Sequence, residues 1–299
     1  MLFRSIILGN GATELIYLMA RGLKLQKVML LQPTFTEYQR AFASVNTELL
    51  SHPYVEKQVE DTFSFECDLE ALAKEINQTG CEALMICNPN NPTGSIFSCE
   101  ALLHFLNHVS VSNFLLMIDE SFIEFDESIQ VMAPLLATQK VIVIRSMTKT
   151  YRVPGLRIGY MIGPKEIFKK LNGFKEPWTL NTIALKSIPY FLHETQYLEQ
   201  LRLWCKTERH FLYEALKKMP LMKVYEGHAN FILVVYQGED PMRFREDIKL
   251  EKIHLRTCMD FDGLGERYYR IAVQDRETNA ALIEKLNTIL RRHNHEIQE

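Results

Sequence analysis

The chain has 299 residues, of which 47% are apolar and 24% charged, with a formal net charge of −3. That length accommodates one large domain and a smaller one. The mild acidity excludes the dense basic face that nucleic-acid partners need, and the lack of a long apolar run excludes a membrane-spanning helix.

In chain order, a strand is predicted over 5–9. It runs into Gly9-Asn-Gly-Ala-Thr-Glu14 and a helical pattern over 12–21. The stretch Met1-Leu-Phe-Arg4 has no signal-peptide layout, because Asn10 and Glu14 interrupt the apolar residues early. A strand over 27–31 leads to Gln32-Pro-Thr-Phe35 and a helix over 35–45. A helix over 68–77 precedes a strand over 82–87, which ends in Asn88-Pro-Asn-Asn91-Pro-Thr-Gly94. A helix over 98–109 is followed by a strand over 113–118 that closes on Asp119-Glu120. The strand over 141–145 is followed by Ser146, Lys149 and Arg157, and a further strand covers 157–161. Beyond a helix over 164–172, one long helical stretch covers 181–218, interrupted by Pro189 and ended by Pro220.

The pattern then changes to strands near 223–226, 229–236 and 267–273, with helices over 240–248 and 276–292. The alternation predicts an α/β fold: a mostly parallel sheet with helices on both faces over 1–220, and a smaller α+β domain over 221–299. The six cysteines, Cys67, Cys81, Cys87, Cys99, Cys205 and Cys258, show no C-x-x-C spacing. Reduced thiols and a cytoplasmic protein are expected. His104 and His108 lie four apart on a predicted helix, but no acidic or cysteine ligand completes a set, so no metal is expected. Lys217–Lys218 and Arg291–Arg292 read as solvated helix faces.

The chemistry gathers at the predicted strand ends. Lys149 follows a strand, with the Ser146 hydroxyl three residues before it and the Arg157 guanidinium eight after. An amine able to condense with an aldehyde, beside groups that grip a phosphate, meets the needs of a pyridoxal 5′-phosphate enzyme. The glycine turn before residue 12 directs backbone N–H groups and a helix dipole at an anion. The prolines around Asn91 hold that side chain in a fixed turn. Asp119 ends a buried-strand pattern, at the edge where open α/β sheets bind ligands. Taken singly, each motif also has an ordinary reading: a helix start, a structural turn, a solvated lysine, a core phenylalanine. Their order and shared placement point to one site.

Together the motifs resemble the class I/II aminotransferase superfamily of pyridoxal phosphate enzymes, fold type I, with its S-x-x-K followed by G-L-R-x-G-Y. The resemblance implies that Lys149 carries the cofactor and that Asp119 salt-bridges its ring nitrogen. It implies that Asn91 donates to the ring oxygen and that Phe35 stacks on the ring. Ser146, Arg157 and the turn Gly11, Ala12, Thr13 would hold the phosphate, and Arg270 would grip a substrate carboxylate through a bidentate fork. It also implies a homodimer. Superfamily chains carry a further segment before the phosphate turn, which here begins at residue 9. That segment is expected to serve the small domain, the dimer contact and the pocket, and without it a domain that binds the cofactor but does not turn over is the alternative of another class.

Asp119–Phe125, Thr148–Arg157, Glu176–Asn181 and Leu255–Leu264 resemble the threonine-phosphate decarboxylases of cobalamin biosynthesis, close relatives of the histidinol-phosphate aminotransferases. This implies a small phosphorylated, amino-acid-like substrate. Arg256 would contact its phosphate, and Trp178 and Asn181 would line the pocket with Asn91. Arg256 has a plainer reading as a surface ion pair. Two departures stand out: Phe122 where many relatives have tyrosine, and Asp260 where the decarboxylases often have asparagine. Decarboxylation and transamination differ in which Cα bond stands perpendicular to the cofactor ring, and a sequence does not display that angle.

Overall fold

The computed structural model describes residues 4–126 and 133–296. The chain opens with β1 (Arg4–Asn10), α1 (Gly11–Leu23), β2 (Lys27–Gln32), α2 (Thr36–Ala43) and β3 (Glu48–Pro53). A hairpin follows, β4 (Val55–Val59) and β5 (Thr62–Glu66), then α3 (Leu69–Thr79), β6 (Ala83–Cys87), α4 (Cys99–His108) and β7 (Leu115–Asp119). Next come α5 (Ala133–Ala137), β8 (Val141–Ser146), the single-turn α6 (Met147–Thr150), β9 (Ile158–Pro164) and α7 (Lys165–Asn172). The helices α8 (Thr182–His193) and α9 (Thr195–Lys217) lead to β10 (Met222–Val224), β11 (Phe231–Tyr236), α10 (Pro241–Leu250), β12 (Arg256–Thr257), β13 (Tyr268–Ala272) and α11 (Arg276–Glu296).

The large sheet has the order β1-β9-β8-β7-β6-β2-β3. Its strands are parallel except β9, which pairs antiparallel with both β1 and β8. The strands read as continuous apolar runs because both faces are covered. On one face Val28, Leu30, Met85, Met117, Ile142 and Ile144 meet Leu15, Ile16 and Met19 of α1. The alternate residues Met29, Leu84, Ile86, Leu116, Ile118 and Val143 meet Leu72 and Ile76 of α3 and Leu102 and Phe105 of α4 on the other. Each fully buried side chain of this size contributes about 1.5–3 kcal/mol. A second sheet, β10-β11-β13-β12, packs Ile232, Val234 and Ile271 against Leu216 of α9 and Leu286 and Ile289 of α11.

Parallel strands bring their carboxyl ends to one edge, and the register places the four motifs there. Cys87 lies beside Asp119, Asp119 beside Ile144, and Ser146 beside Gly159. Because β9 runs the opposite way, its amino end, next to Arg157, reaches the same edge, with Ile158 opposite Asn10.

Three features depart from expectation. β3, β4 and β5 were not predicted: every residue of β4 is exposed, so no alternation marks it. Helix α8 runs through Pro189, and the break comes instead at Glu194. β12 is only two residues long, below the length at which periodicity shows.

Candidate active site

At the carboxyl edge of the large sheet is a cavity of about 270 Å³. Its wall includes Ala12, Thr13, Phe35, Asn91, Asp119, Ser146, Lys149, Arg157 and Arg270, drawn from six separate stretches of the sequence. That volume holds one small molecule.

One end is built for an anion. Helix α1 begins at Gly11, whose φ is +77°, and a Cβ there would lie 2.4 Å from Nη2 of Arg157. Gly11 is thus the residue that leaves room for this guanidinium beside the first turn. Gly159 makes the matching approach from β9, since its Cβ would stand 2.7 Å from the Ala12 nitrogen. Asn10 makes no side-chain cap. Glu14 reaches back to the Asn10 N–H, and Lys175 pairs with its other oxygen at 2.6 Å, so its charge is balanced away from the cavity. A thirteen-residue helix dipole and Arg157 then act together on whatever occupies this end. Ser146 Oγ is on the same wall, 2.7 Å from Thr148 Oγ1.

Lys149 projects from the single turn of α6, its Nζ 4.7 Å from the centroid of the Phe122 ring. Burial lowers its pKa below the ordinary lysine value. Asp119 opposes that shift, while Arg157 and Arg270 add to it. A lowered pKa leaves more of the amine neutral, and only the neutral amine is a nucleophile.

Asp119 is 3% exposed at the end of β7. Its Oδ1 accepts from Ser121 N at 2.8 Å and its Oδ2 from the Tyr38 hydroxyl at 2.9 Å, which fixes the carboxylate plane. Burial, with Asp119 next, pushes the Tyr38 hydroxyl far above its usual range, so it remains a donor. Burial likewise pushes the Cys87 thiol up to about 12, which keeps it an unreactive thiol.

The three asparagines of the turn after β6 divide the work. Asn88 exchanges hydrogen bonds with Phe97, and Asn90 donates to Pro33 O at 2.9 Å and accepts from Thr34 Oγ1 at 2.8 Å. This ties the turn to the segment bearing Phe35 and leaves Asn91 on the cavity wall. Asn91 Oδ1 accepts from Nη1 of Arg270 at 2.5 Å, so its amide nitrogen is the group left for a ligand. Arg270 also lies over the Phe231 ring, 4.9 Å from its centroid. Among the described residues no carboxylate pairs with Arg270, an arrangement that calls for an anionic ligand.

Three predicted residues lie elsewhere. Trp178 is 95% exposed and borders a separate depression with Ile6 and Leu180. Asn181 caps α8, accepting from Ala184 N at 2.8 Å and donating to Leu156 O at 3.1 Å. Neither lines the cavity of the single chain. Arg256 lies on β12 directly opposite Arg270, bordering a neighbouring cavity of about 370 Å³ that Arg270 also borders.

Tyr38, Cys87, Ser121 and Thr148 line the cavity and were not singled out. Tyr38 had a signal: it follows Phe35 by three residues on a predicted helix, which puts both on one face. Ser121 Oγ is buried with no hydrogen-bond partner, a polar atom waiting for one.

The lining fits pyridoxal 5′-phosphate. The anion end suits its phosphate, Lys149 its aldehyde, Asp119 its ring nitrogen and Asn91 its ring oxygen. Phe35 and Phe122 supply apolar surface for the ring.

Residues 3–286 match the family described as aminotransferase class I and II. The chain is 31% identical to the threonine-phosphate decarboxylase of Salmonella typhimurium over 287 residues, covering 95% of this chain and 77% of that protein. It is also 31% identical to a histidinol-phosphate aminotransferase of Desulfitobacterium hafniense, over 96% of this chain and 78% of that one. The crystal structure of the histidinol-phosphate aminotransferase from Clostridium acetobutylicum superposes with a TM-score of 0.87 at 29% identity, covering 97% of this chain and 84% of that one.

Proposed function

We propose that this protein, which belongs to the class I and II aminotransferase family and is a pyridoxal 5′-phosphate enzyme, decarboxylates L-threonine O-3-phosphate to aminopropanol phosphate. The observation that carries the reading is the pairing of Arg270 and Arg256 across β13 and β12. Two guanidinium groups on facing positions suit a substrate with two anionic groups, an α-carboxylate and a distal phosphate. Arg270, beside Lys149 and Asn91, takes the carboxylate. Arg256, on the neighbouring cavity, takes the phosphate. A relative 31% identical that carries the decarboxylase name supports the same substrate class.

When bound, the cofactor supplies an electron sink for whichever bond is broken at Cα. The chain's residues do the rest. Asp119, held by Tyr38 and Ser121, would keep the ring nitrogen protonated. Gly11, Ala12, Thr13, Ser146 and Arg157 would hold the cofactor phosphate, and Phe35 would cover the ring. Arg270 and Arg256 would grip the substrate at two points and so set which Cα bond is presented for cleavage. Lys149, on the cavity wall, would supply the proton that Cα takes up in place of the departing carboxylate.

A second reading is a histidinol-phosphate aminotransferase, favoured by the 0.87 TM-score of the Clostridium enzyme. Lys149 then removes the Cα proton. The loaded protein mixed with L-threonine O-3-phosphate decides between them. Release of CO₂ without an amino acceptor supports the decarboxylase. Turnover of histidinol phosphate that needs a keto acid supports the aminotransferase. A visible spectrum unchanged by either substrate supports a domain that only binds the cofactor.

We also propose that it works as a homodimer. The exposed Trp178, Ile183, Leu185, Tyr190 and Leu192 on and before α8 support this, since so much apolar surface in one region marks an interface. Sedimentation at micromolar concentration checks it, and a monomer would refute it.

A further inference from the structure

We infer that Asp260 is an internal competitor for the distal anion of the substrate and sets how tightly this chain holds a phosphorylated ligand. The inference rests on the reading of Arg256 as the phosphate contact. Nη2 of Arg256 donates to both Asp260 oxygens, at 2.8 and 2.6 Å, and Nη1 donates to Thr257 O at 2.6 Å. Its guanidinium lies against the buried Phe261, 5.6 Å from the ring centroid. The fork that would receive a phosphate therefore already holds a carboxylate.

The surroundings make this pairing more than a passing surface contact. Arg256 sits opposite Arg270 on the neighbouring strand, and like charges directly opposite repel. The charge of Arg40, from the helix bearing Tyr38, also acts on Asp260. Asp260 thus offsets Arg256 and the Arg270 opposite it, while Arg40 already pairs with Glu37 at 2.7 Å. An incoming phosphate must displace Asp260 from Arg256 and then tolerate its charge close by. Asparagine at this position is isosteric, can accept only through one oxygen and carries no charge, so it leaves Arg256 free for the phosphate. Both Arg256 and Asp260 are about half exposed, so the exchange needs no rearrangement of the core.

The test titrates the cofactor-loaded protein with L-threonine O-3-phosphate, with L-threonine, and with inorganic phosphate as competitor, following the visible spectrum. Four proteins are compared: wild type, Asp260→Asn, Arg256→Ala and the double variant. Asp260→Asn should tighten both phosphate-bearing ligands roughly three- to tenfold, the range between an exposed ion pair and a half-buried charge-assisted bond. L-Threonine should bind alike, and the gain should vanish in the Arg256→Ala background. An unchanged or weaker affinity in Asp260→Asn, with Arg256→Ala weakened, overturns the inference and leaves the proposed function standing. An equal gain with and without Arg256 reduces Asp260 to a general field effect and also overturns it. If Arg256→Ala alone changes nothing, the phosphate reading fails, and the role of Asp260 fails with it.

Discussion

Lys149 owes its chemistry to burial: the same lysine on an exposed helix would be almost wholly protonated near neutrality, its ordinary pKa being about 10.4. Here burial, helped by Arg157 and Arg270, moves the value down. Uptake of the cofactor by cofactor-free protein should therefore rise with pH to a midpoint below that of free lysine. A midpoint at or above the free value would show that the amine is not the one described. Asp119 makes a second residue-scale prediction. Asp119→Ala should cost about 10²-fold in kcat, or about 2.7 kcal/mol, with Asp119→Glu retaining more. Tyr38→Phe removes one of the two donors to that carboxylate and should cost less, roughly tenfold, through kcat rather than through cofactor affinity. Equal rates in wild type and Asp119→Ala would remove Asp119 from the site.

At the scale of elements, the site depends on β9 lying against the first turn of α1. Gly159→Ala sets a methyl group 2.7 Å from the Ala12 nitrogen, so the helix start or the strand must shift. Overpacking of this kind costs about 1–3 kcal/mol, and cofactor affinity should fall at least about tenfold. Gly155→Ala, where nothing lies within 4 Å, is the matched control and should bind normally. Equilibrium titration of the cofactor checks both, and equal affinities would contradict the phosphate end as described. The central strands and their terminal motifs were legible because two-faced burial writes continuous apolar runs, and these lead directly into Asn88-Pro-Asn-Asn91, Asp119-Glu120 and Ser146-Met-Thr-Lys149. Strand β4 was not legible, because all of its residues are exposed; its partner β5 does set Phe63 and Phe65 against the core. Trp178 and Asn181 lie away from this cavity, because the segment before α8 leads away from it. Chain order says nothing about which way the segment before α8 turns.

For the whole molecule, the proposed function requires the two sheets to meet: Asp119 ends β7 of the large one and Lys149 follows its β8 on α6, while Arg256 and Arg270 come from the small one. Separate losses should therefore sort substrates by their anionic groups. Arg256→Ala should lower kcat/KM for L-threonine O-3-phosphate and for histidinol phosphate. Arg270→Ala should lower it for the first but hardly for the second, which has no carboxylate. Each relevant loss should be ~10- to 150-fold, and lysine at either position should rescue poorly because a point charge cannot reproduce a planar fork. Steady-state kinetics on the two substrates read this directly, and an Arg256→Ala protein indifferent to both would end the phosphate reading.

All of these roles presuppose that the cofactor is held where the two sheets converge, by one particular amine. Borohydride treatment of the loaded protein, followed by peptide mapping, asks this most directly. The cofactor should be found fixed to Lys149, in the peptide spanning Met147–Arg152, and Lys149→Ala should carry none and show no visible band. Fixation at any other lysine, or a band and turnover that survive Lys149→Ala, would contradict the account.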